Sequence, residues 1–99
     1  GDSAHGGNWF GEDVIIDSVV DLVGCSIGSG TRISNSCSLV SSALLHSVTV
    51  GQNSHLKGCM VGYETHIGQG CQLENVVIDH HSTIPDGHVQ IGGIYPTAD

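Results

Sequence analysis

The stretch Ile67–Ile84, IGQGCQLENVVIDHHSTI, spans one period of a 17-residue repeat that runs through most of the chain. Large aliphatic residues return at three positions of every period. The first position holds Ile16, Ile33, Val50, Ile67 and Ile84, the second holds Leu22, Leu39, Leu56 and Leu73, and the third holds Ile27, Leu44, Val61 and Ile78. The three aliphatics divide each period into three short segments of nearly equal length, a pattern typical of a solenoid.

Each segment is predicted to be a short β-strand, because Val, Ile, Ser and Thr dominate and a helical period is nearly absent. Side chains alternate along a strand, so a residue two positions before a buried aliphatic also points inward. These inward neighbours are small: Val20, Cys37, Ser54 and Cys71 in one column, and Cys25, Ser42, Cys59 and Val76 in another. The sequence therefore predicts an all-β parallel β-helix of about five 17-residue turns, each with three short strands.

Glycine and asparagine recur between the segments, where a coil needs bends with positive φ. Gly24, Gly58 and Asn75 share one such position, with Ser41 in the remaining turn. The segment GCSIGSGTR at 24–32 is glycine-rich but lacks the GK[ST] ending of a phosphate-binding loop. We interpret its glycines as corners of the coil.

The four cysteines are predicted to be reduced, buried fillers. Cys25 and Cys59 lie two turns apart in one column, and Cys37 and Cys71 lie two turns apart in another. Two turns correspond to about 9.6 Å at the usual strand spacing, which exceeds the roughly 7 Å limit for a disulfide. Reduced cysteines favour a cytoplasmic protein.

One domain is expected from the chain length of 99 residues. We assign residues 1–8 to a flexible lead-in or a non-native remnant, residues 9–92 to the β-helix, and residues 93–99 to a C-terminal tail. Phe10 falls in the third aliphatic column and is expected to cover the open N-terminal end of the interior. An inserted residue near Gln90 is expected to shift Ile91 out of register.

Ten acidic residues and only two basic ones give a formal net charge of -8. This charge opposes binding to nucleic acids and to anionic membranes. No apolar run is long enough for a transmembrane helix, which takes about 20 residues, and the first residues do not resemble a signal peptide. These features again favour a cytoplasmic location.

A family resemblance rests on the hexapeptides IGSGTR at 27–32, VGYETH at 61–66 and IGQGCQ at 67–72. They resemble the hexapeptide repeat of left-handed parallel β-helix proteins. The segment VIDHHSTIPDG at 77–87 is more specific, and it is similar to the C-terminal β-helix of ADP-glucose pyrophosphorylases (glucose-1-phosphate adenylyltransferases of glycogen and starch synthesis). The left-handed sense is implied by this resemblance.

The resemblance implies a non-catalytic scaffold for oligomerisation and regulation. The catalytic domain of those enzymes has no counterpart here, so we expect no enzymatic activity from this chain alone and no cofactor or metal. Their effectors are phosphorylated sugars or nucleotides, met partly by a basic residue after the motif's aspartate. His80 stands at that position, which weakens the expectation of a phosphorylated effector.

A second hypothesis comes from the histidines. His46, Tyr63 and His80 share one corner position, and His81 adjoins them. These four residues are candidates for an edge of the coil that binds an effector or a substrate. A stand-alone hexapeptide-repeat acyltransferase would use a histidine as general base between subunits. A γ-class carbonic anhydrase is disfavoured, because that family has two zinc-binding histidines five residues apart and no histidine pair here has that spacing.

Outward apolar residues predict self-association. Val23 and Val40 follow the leucine column, and Met60 and Val77 precede the third aliphatic column. If they point outward, they form an apolar strip of the kind that contacts other chains. We predict a homo-oligomer, with a trimer favoured.

Overall fold

The computed structural model describes residues 7–97, which form three parallel sheets and no α-helix. Sheet I contains β1 Trp9–Phe10, β4 Ser26–Ile27, β7 Ala43–Leu44, β10 Met60–Val61, β13 Val77–Ile78 and β16 Ile94–Tyr95. Sheet II contains β2 Ile15–Ile16, β5 Arg32–Ile33, β8 Thr49–Val50, β11 His66–Ile67 and β14 Thr83–Ile84. Sheet III contains β3 Val20–Val23, β6 Cys37–Val40, β9 His55–Lys57, β12 Gln72–Glu74 and β15 Val89–Ile91.

Every strand pairs with the strand one turn away, and paired residues are one repeat period apart. Leu39 pairs with both Leu22 and Leu56, and Leu56 pairs with Leu73, so the leucines form one continuous column. The predicted parallel β-helix of about five turns is confirmed. Since no described strand pairs with its neighbour in sequence, each turn is held to the next by backbone hydrogen bonds and stacked side chains.

The core lies inside this three-sided coil. Its centre is closed to solvent, since Ile27, Ile33, Leu39, Leu56 and Ile78 are each no more than 2 % exposed. The predicted small columns also point inward, and all four cysteines are buried and free. The buried hydroxyls complete the backbone ladder: Ser54 Oγ donates to the Gly68 carbonyl and accepts from the Cys71 N–H.

The corners show why small and polar residues recur between strands. Gly24, Ser41, Gly58 and Asn75 occupy equivalent positions and all have φ between 50° and 64°. Serine and asparagine carry a modest steric cost in this left-handed region, whereas glycine carries none. Bends of the coil therefore explain Gly24 and Gly30, which has φ 74°. Gly28 is explained by close packing, since a side chain there would collide with the Leu45 backbone of the next turn.

The two ends of the coil are covered differently. At the N-terminal end Phe10 is partly buried against the core, as expected, and Asn8 is buried. The Asn8 side chain accepts a hydrogen bond from the Cys25 N–H and donates one to the Leu22 carbonyl. It therefore satisfies backbone groups that an additional turn would otherwise satisfy. At the C-terminal end the Tyr95 hydroxyl donates to the Thr83 carbonyl and spans the last turn.

The expected insertion near Gln90 is wrong. Leu73 pairs with Gln90 and Glu74 with Ile91, so the 17-residue register continues without a shift. Gln90 takes the next place in the leucine column, where its amide donates to the Gly92 and Ile94 carbonyls. The register then extends to β16, which lies within the predicted C-terminal tail. Residues 1–6 of the predicted lead-in lie outside the described residues.

Candidate assembly surface

Sheet I presents a column of uncharged side chains on its outer face. The column runs through all six strands and contains Trp9, Ser26, Ala43, Met60, Val77 and Ile94. Met60 is 58 % exposed, and Val77 and Ile94 are each 50 % exposed. Three large apolar side chains thus stand side by side in solvent on adjacent strands, an arrangement that marks contact surfaces.

A shallow groove lies beside this column. It has a volume of about 160 Å³ and is bounded by Leu45, Met60, Gly62, Val77 and Asp79. Gly62 is packed so closely that a side chain there would collide with the next turn. A neighbouring depression of about 370 Å³ continues past Val77 to the C-terminal residues Ile94 to Thr97. The apolar column and the two depressions form one continuous surface.

The predicted His46, Tyr63 and His80 form a ring stack along the corner that borders this groove. Tyr63 lies between the two imidazoles, with ring centroids 5.0 Å from His46 and 3.7 Å from His80. The planes are nearly parallel, at 7° and 14°. His81 meets Tyr63 edge-on at 5.2 Å and places its Nδ1 3.2 Å from a Glu64 carboxylate oxygen. The four predicted residues are therefore brought together.

Hydrogen bonding fixes the role of His80 in this stack. Its Nδ1 accepts a hydrogen bond of 3.0 Å from the Tyr63 backbone N–H. A backbone amide is always a donor, so Nδ1 carries no proton in this arrangement and the neutral ring is protonated at Nε2. The Asp79 carboxylate accepts from the His80 N–H at 2.8 Å and holds the corner. The stack forms a rim of the groove. Among residues 7–97, no group of three His, Cys, Asp or Glu side chains is placed so that it could hold a metal ion.

The four residues predicted as one oligomer strip lie on two different sheets. Val23 and Val40 end strands of sheet III, whereas Met60 and Val77 begin strands of sheet I. All four point outward, and Val23 is 57 % exposed while Val40 is half-buried. The alternation argument gave the correct direction of each side chain, but a corner of the coil separates the two pairs.

Several exposed apolar residues were missed by the sequence analysis. Ile94 continues the Met60 and Val77 column, and Val89 and Ile91 are 62 % and 76 % exposed on sheet III. The signal was available, because Ile94 lies one full period after Val77. The expected insertion near Gln90 concealed this spacing, because it placed Ile94 outside the repeat.

The buried thiols contribute packing rather than reactivity. Burial raises the pKa of the Cys37 and Cys59 thiols above their ordinary value of 9.0, against weaker opposing backbone hydrogen bonds. Both thiols are therefore protonated and poorly nucleophilic at neutral pH. Neither of these two residues is therefore a candidate nucleophile.

The fold defines a β-helix domain with exposed apolar side chains on its outer faces. The comparison with protein families specifies it further: the family model of the GMPPB C-terminal domain matches residues 10–94. The chain belongs to this family, which is a nucleotidyltransferase C-terminal domain of the left-handed β-helix type. This confirms the predicted kinship with nucleotidyltransferase β-helices. Comparison with individually curated proteins gives no match.

Among the described residues, no helix is long and apolar enough to cross a membrane. The cytoplasmic location stays a prediction.

Proposed function

We propose that this chain is a non-catalytic assembly domain of the nucleotidyltransferase type, which holds copies of itself together through the outer column of sheet I. Membership of a nucleotidyltransferase C-terminal domain family supports the class. The main support for the proposed contact is the row of Met60, Val77 and Ile94, which lie on adjacent strands and are each at least half exposed.

Charge favours this face for self-association. A chain with a formal net charge of -8 repels its own copies. The outer column of sheet I contains no charged residue, and Asp79 is the one carboxylate among the described residues that line the groove beside it. Two copies can therefore approach here while burying apolar surface and bringing few carboxylates together.

Regulation by a phosphorylated effector is not part of this proposal. The two cations of the chain lie away from the histidine and tyrosine stack, with Arg32 on sheet II and Lys57 on sheet III. The stack itself contains no Lys or Arg side chain that could meet a phosphate. Its role here is to stiffen the rim of the contact surface. The trimer stays a prediction.

The test is the solution mass of a double variant, Met60→Asp with Val77→Asp. Light scattering coupled to gel filtration at about 5 µM protein measures the mass, and circular dichroism checks the fold. Two buried carboxylates without partners strongly oppose association, so the mass is expected to fall to that of one chain, 10.2 kDa.

The matched control carries the same two substitutions on sheet II, at His66 and Thr83, which are also paired outward residues on adjacent strands. This control is expected to keep the mass of the unmodified chain. Equal masses for the unmodified chain and the sheet I variant would show that this column is not the contact.

A further inference from the structure

Sheet III has the longest strands of the coil and a second, wider groove. The groove has a volume of about 530 Å³ and runs across the outer face of four strands, β6, β9, β12 and β15. Two outward columns flank it. One contains Asp21, Ser38, His55, Gln72 and Val89, and the other contains Val23, Val40, Lys57, Glu74 and Ile91.

When the residues of the second column are read in the reverse direction, their order is complementary to the forward order. From β6 to β15 it reads Val40, Lys57, Glu74, Ile91, with each residue paired in register to the next. Read backwards, an apolar residue again comes first, and the positions of the positive and negative charges are exchanged. A surface with this property fits a second copy of itself turned end over end.

We propose that sheet III packs against sheet III of a second copy, with the two coils antiparallel and a two-fold axis parallel to the strands between β9 and β12. Lys57 of one copy then faces Glu74 of the other, and the same pair forms a second time by symmetry. Val40 faces Ile91 on both sides of the charged centre. In the other column His55 faces Gln72 and Ser38 faces Val89.

Electrostatics selects this orientation over the alternative two-fold arrangement. Within one copy Lys57 and Glu74 are neighbours on β9 and β12. The antiparallel copy adds an opposite charge in front of each, so the four charges alternate in a square. Parallel coils would instead place Lys57 opposite His55 and Glu74 opposite Gln72, so neither charge would face an opposite charge.

The size of the face predicts a weak contact. Strands of up to four residues, and the four strands that face each other, give a flat area of roughly 13 Å by 19 Å, or roughly 250 Å² per copy. Stable complexes bury about 800 Å² per partner. Sheet III is therefore expected to form a concentration-dependent dimer, separate from the contact on sheet I.

Cysteine trapping tests the geometry without depending on affinity. Two single variants, Val40→Cys and Ile91→Cys, are purified separately and then mixed at about 200 µM under mild oxidation. The native cysteines are buried and free, so they give little background. The mixture is expected to form a disulfide-linked pair on non-reducing gels.

Each single variant alone is the internal control. In the proposed arrangement a residue on β6 lies about 14 Å from its own copy across the axis, three strand spacings away, which is too far for a disulfide. Equal cross-linking of either variant alone, or none in the mixture, would overturn the proposal. Trapping of Val40→Cys with Ser38→Cys would overturn it in favour of parallel coils.

Charge exchange provides a second readout that a loss of folding cannot mimic. Lys57→Glu places like charges opposite each other twice and is expected to weaken the sheet III dimer at least about tenfold. The double variant, Lys57→Glu with Glu74→Lys, restores both pairs and is expected to recover the dimer. Both are measured by sedimentation equilibrium in the Met60→Asp, Val77→Asp background, which separates this contact from that on sheet I. Equal affinity of the single and double charge variants would contradict the pairing.

Discussion

Replacing Leu56 by alanine tests the internal column at its middle, with a leucine on either side. Leu56 is 1 % exposed and lies between Leu39, fully buried, and Leu73, 2 % exposed. Buried leucine-to-alanine changes cost about 2.7 to 5 kcal/mol, the larger values belonging to sites that cannot collapse. Neighbouring turns here are fixed at the strand spacing by backbone hydrogen bonds, so the cavity persists. We expect a loss of about 4 kcal/mol.

This loss is large against the total stability of a small domain, about 5 to 15 kcal/mol. Urea titration followed by far-ultraviolet circular dichroism, at a few micromolar protein, measures the free energy of unfolding of both proteins. The matched control is His55→Ala on the same strand, one residue away and exposed. It is expected to change stability by less than about 0.5 kcal/mol. Comparable losses for the two variants would refute the inward and outward alternation on which the fold rests.

Three further predictions concern the corner, the thiols and the C-terminal end. Gly62→Ala places a methyl group about 2.5 Å from the His80 backbone nitrogen, so the thermal midpoint should drop by several degrees, as a loss of about 1 kcal/mol implies; an unchanged midpoint would show that the corner yields. Because burial raises the pKa of the Cys37 and Cys59 thiols, their contribution to stability is complete below the ordinary value near pH 9 and is lost as the pH rises towards the folded-state pKa. Replacing both by serine, which already occupies both columns in other turns, should flatten the decline in urea stability between pH 8 and pH 10.5; an equally steep decline would contradict this. Tyr95→Phe removes a hydrogen bond of 3.0 Å to a β14 carbonyl and should cost about 1 kcal/mol; chemical denaturation checks this, and a neutral result would show that the hydroxyl does not secure the last turn.

The fold was accessible from the sequence because its information is local and periodic. A side chain at Leu56 meets the same environment as one at Leu39, so the same residue types return in every period. The corners at Gly24, Gly58 and Asn75 were predictable for the same reason, since a left-handed backbone favours Gly and Asn, whereas Ser41 was an exception to the predicted pattern that adopts the same conformation. The alternation of inward and outward residues followed from strand geometry alone.

The proposed contact surfaces were less accessible, because outward residues from two different segments of the period were grouped as one strip. Val40 and Met60 both point outward, yet a corner places them on different sheets. Gln90 was misleading in another way. A polar residue in the leucine column suggested an insertion, whereas its amide closes the end of the column by bonding two carbonyls.

The central pair of sheet III was accessible from the sequence, because Lys57 and Glu74 are one period apart. The pairing of β9 with β12 confirms that they are neighbours. The place of Ile91 in this column follows from the pairing of β12 with β15, which the expected insertion near Gln90 had obscured. The core was predicted from residue types at single repeat positions. Proposing a contact on the outer surface required pairs of residues in register.

The most direct test of the assembly role is the mass of the unmodified chain, measured by sedimentation equilibrium from about 2 µM to 500 µM. The mass is expected to rise with concentration to a multiple of 10.2 kDa. A mass of one chain throughout this range would contradict it.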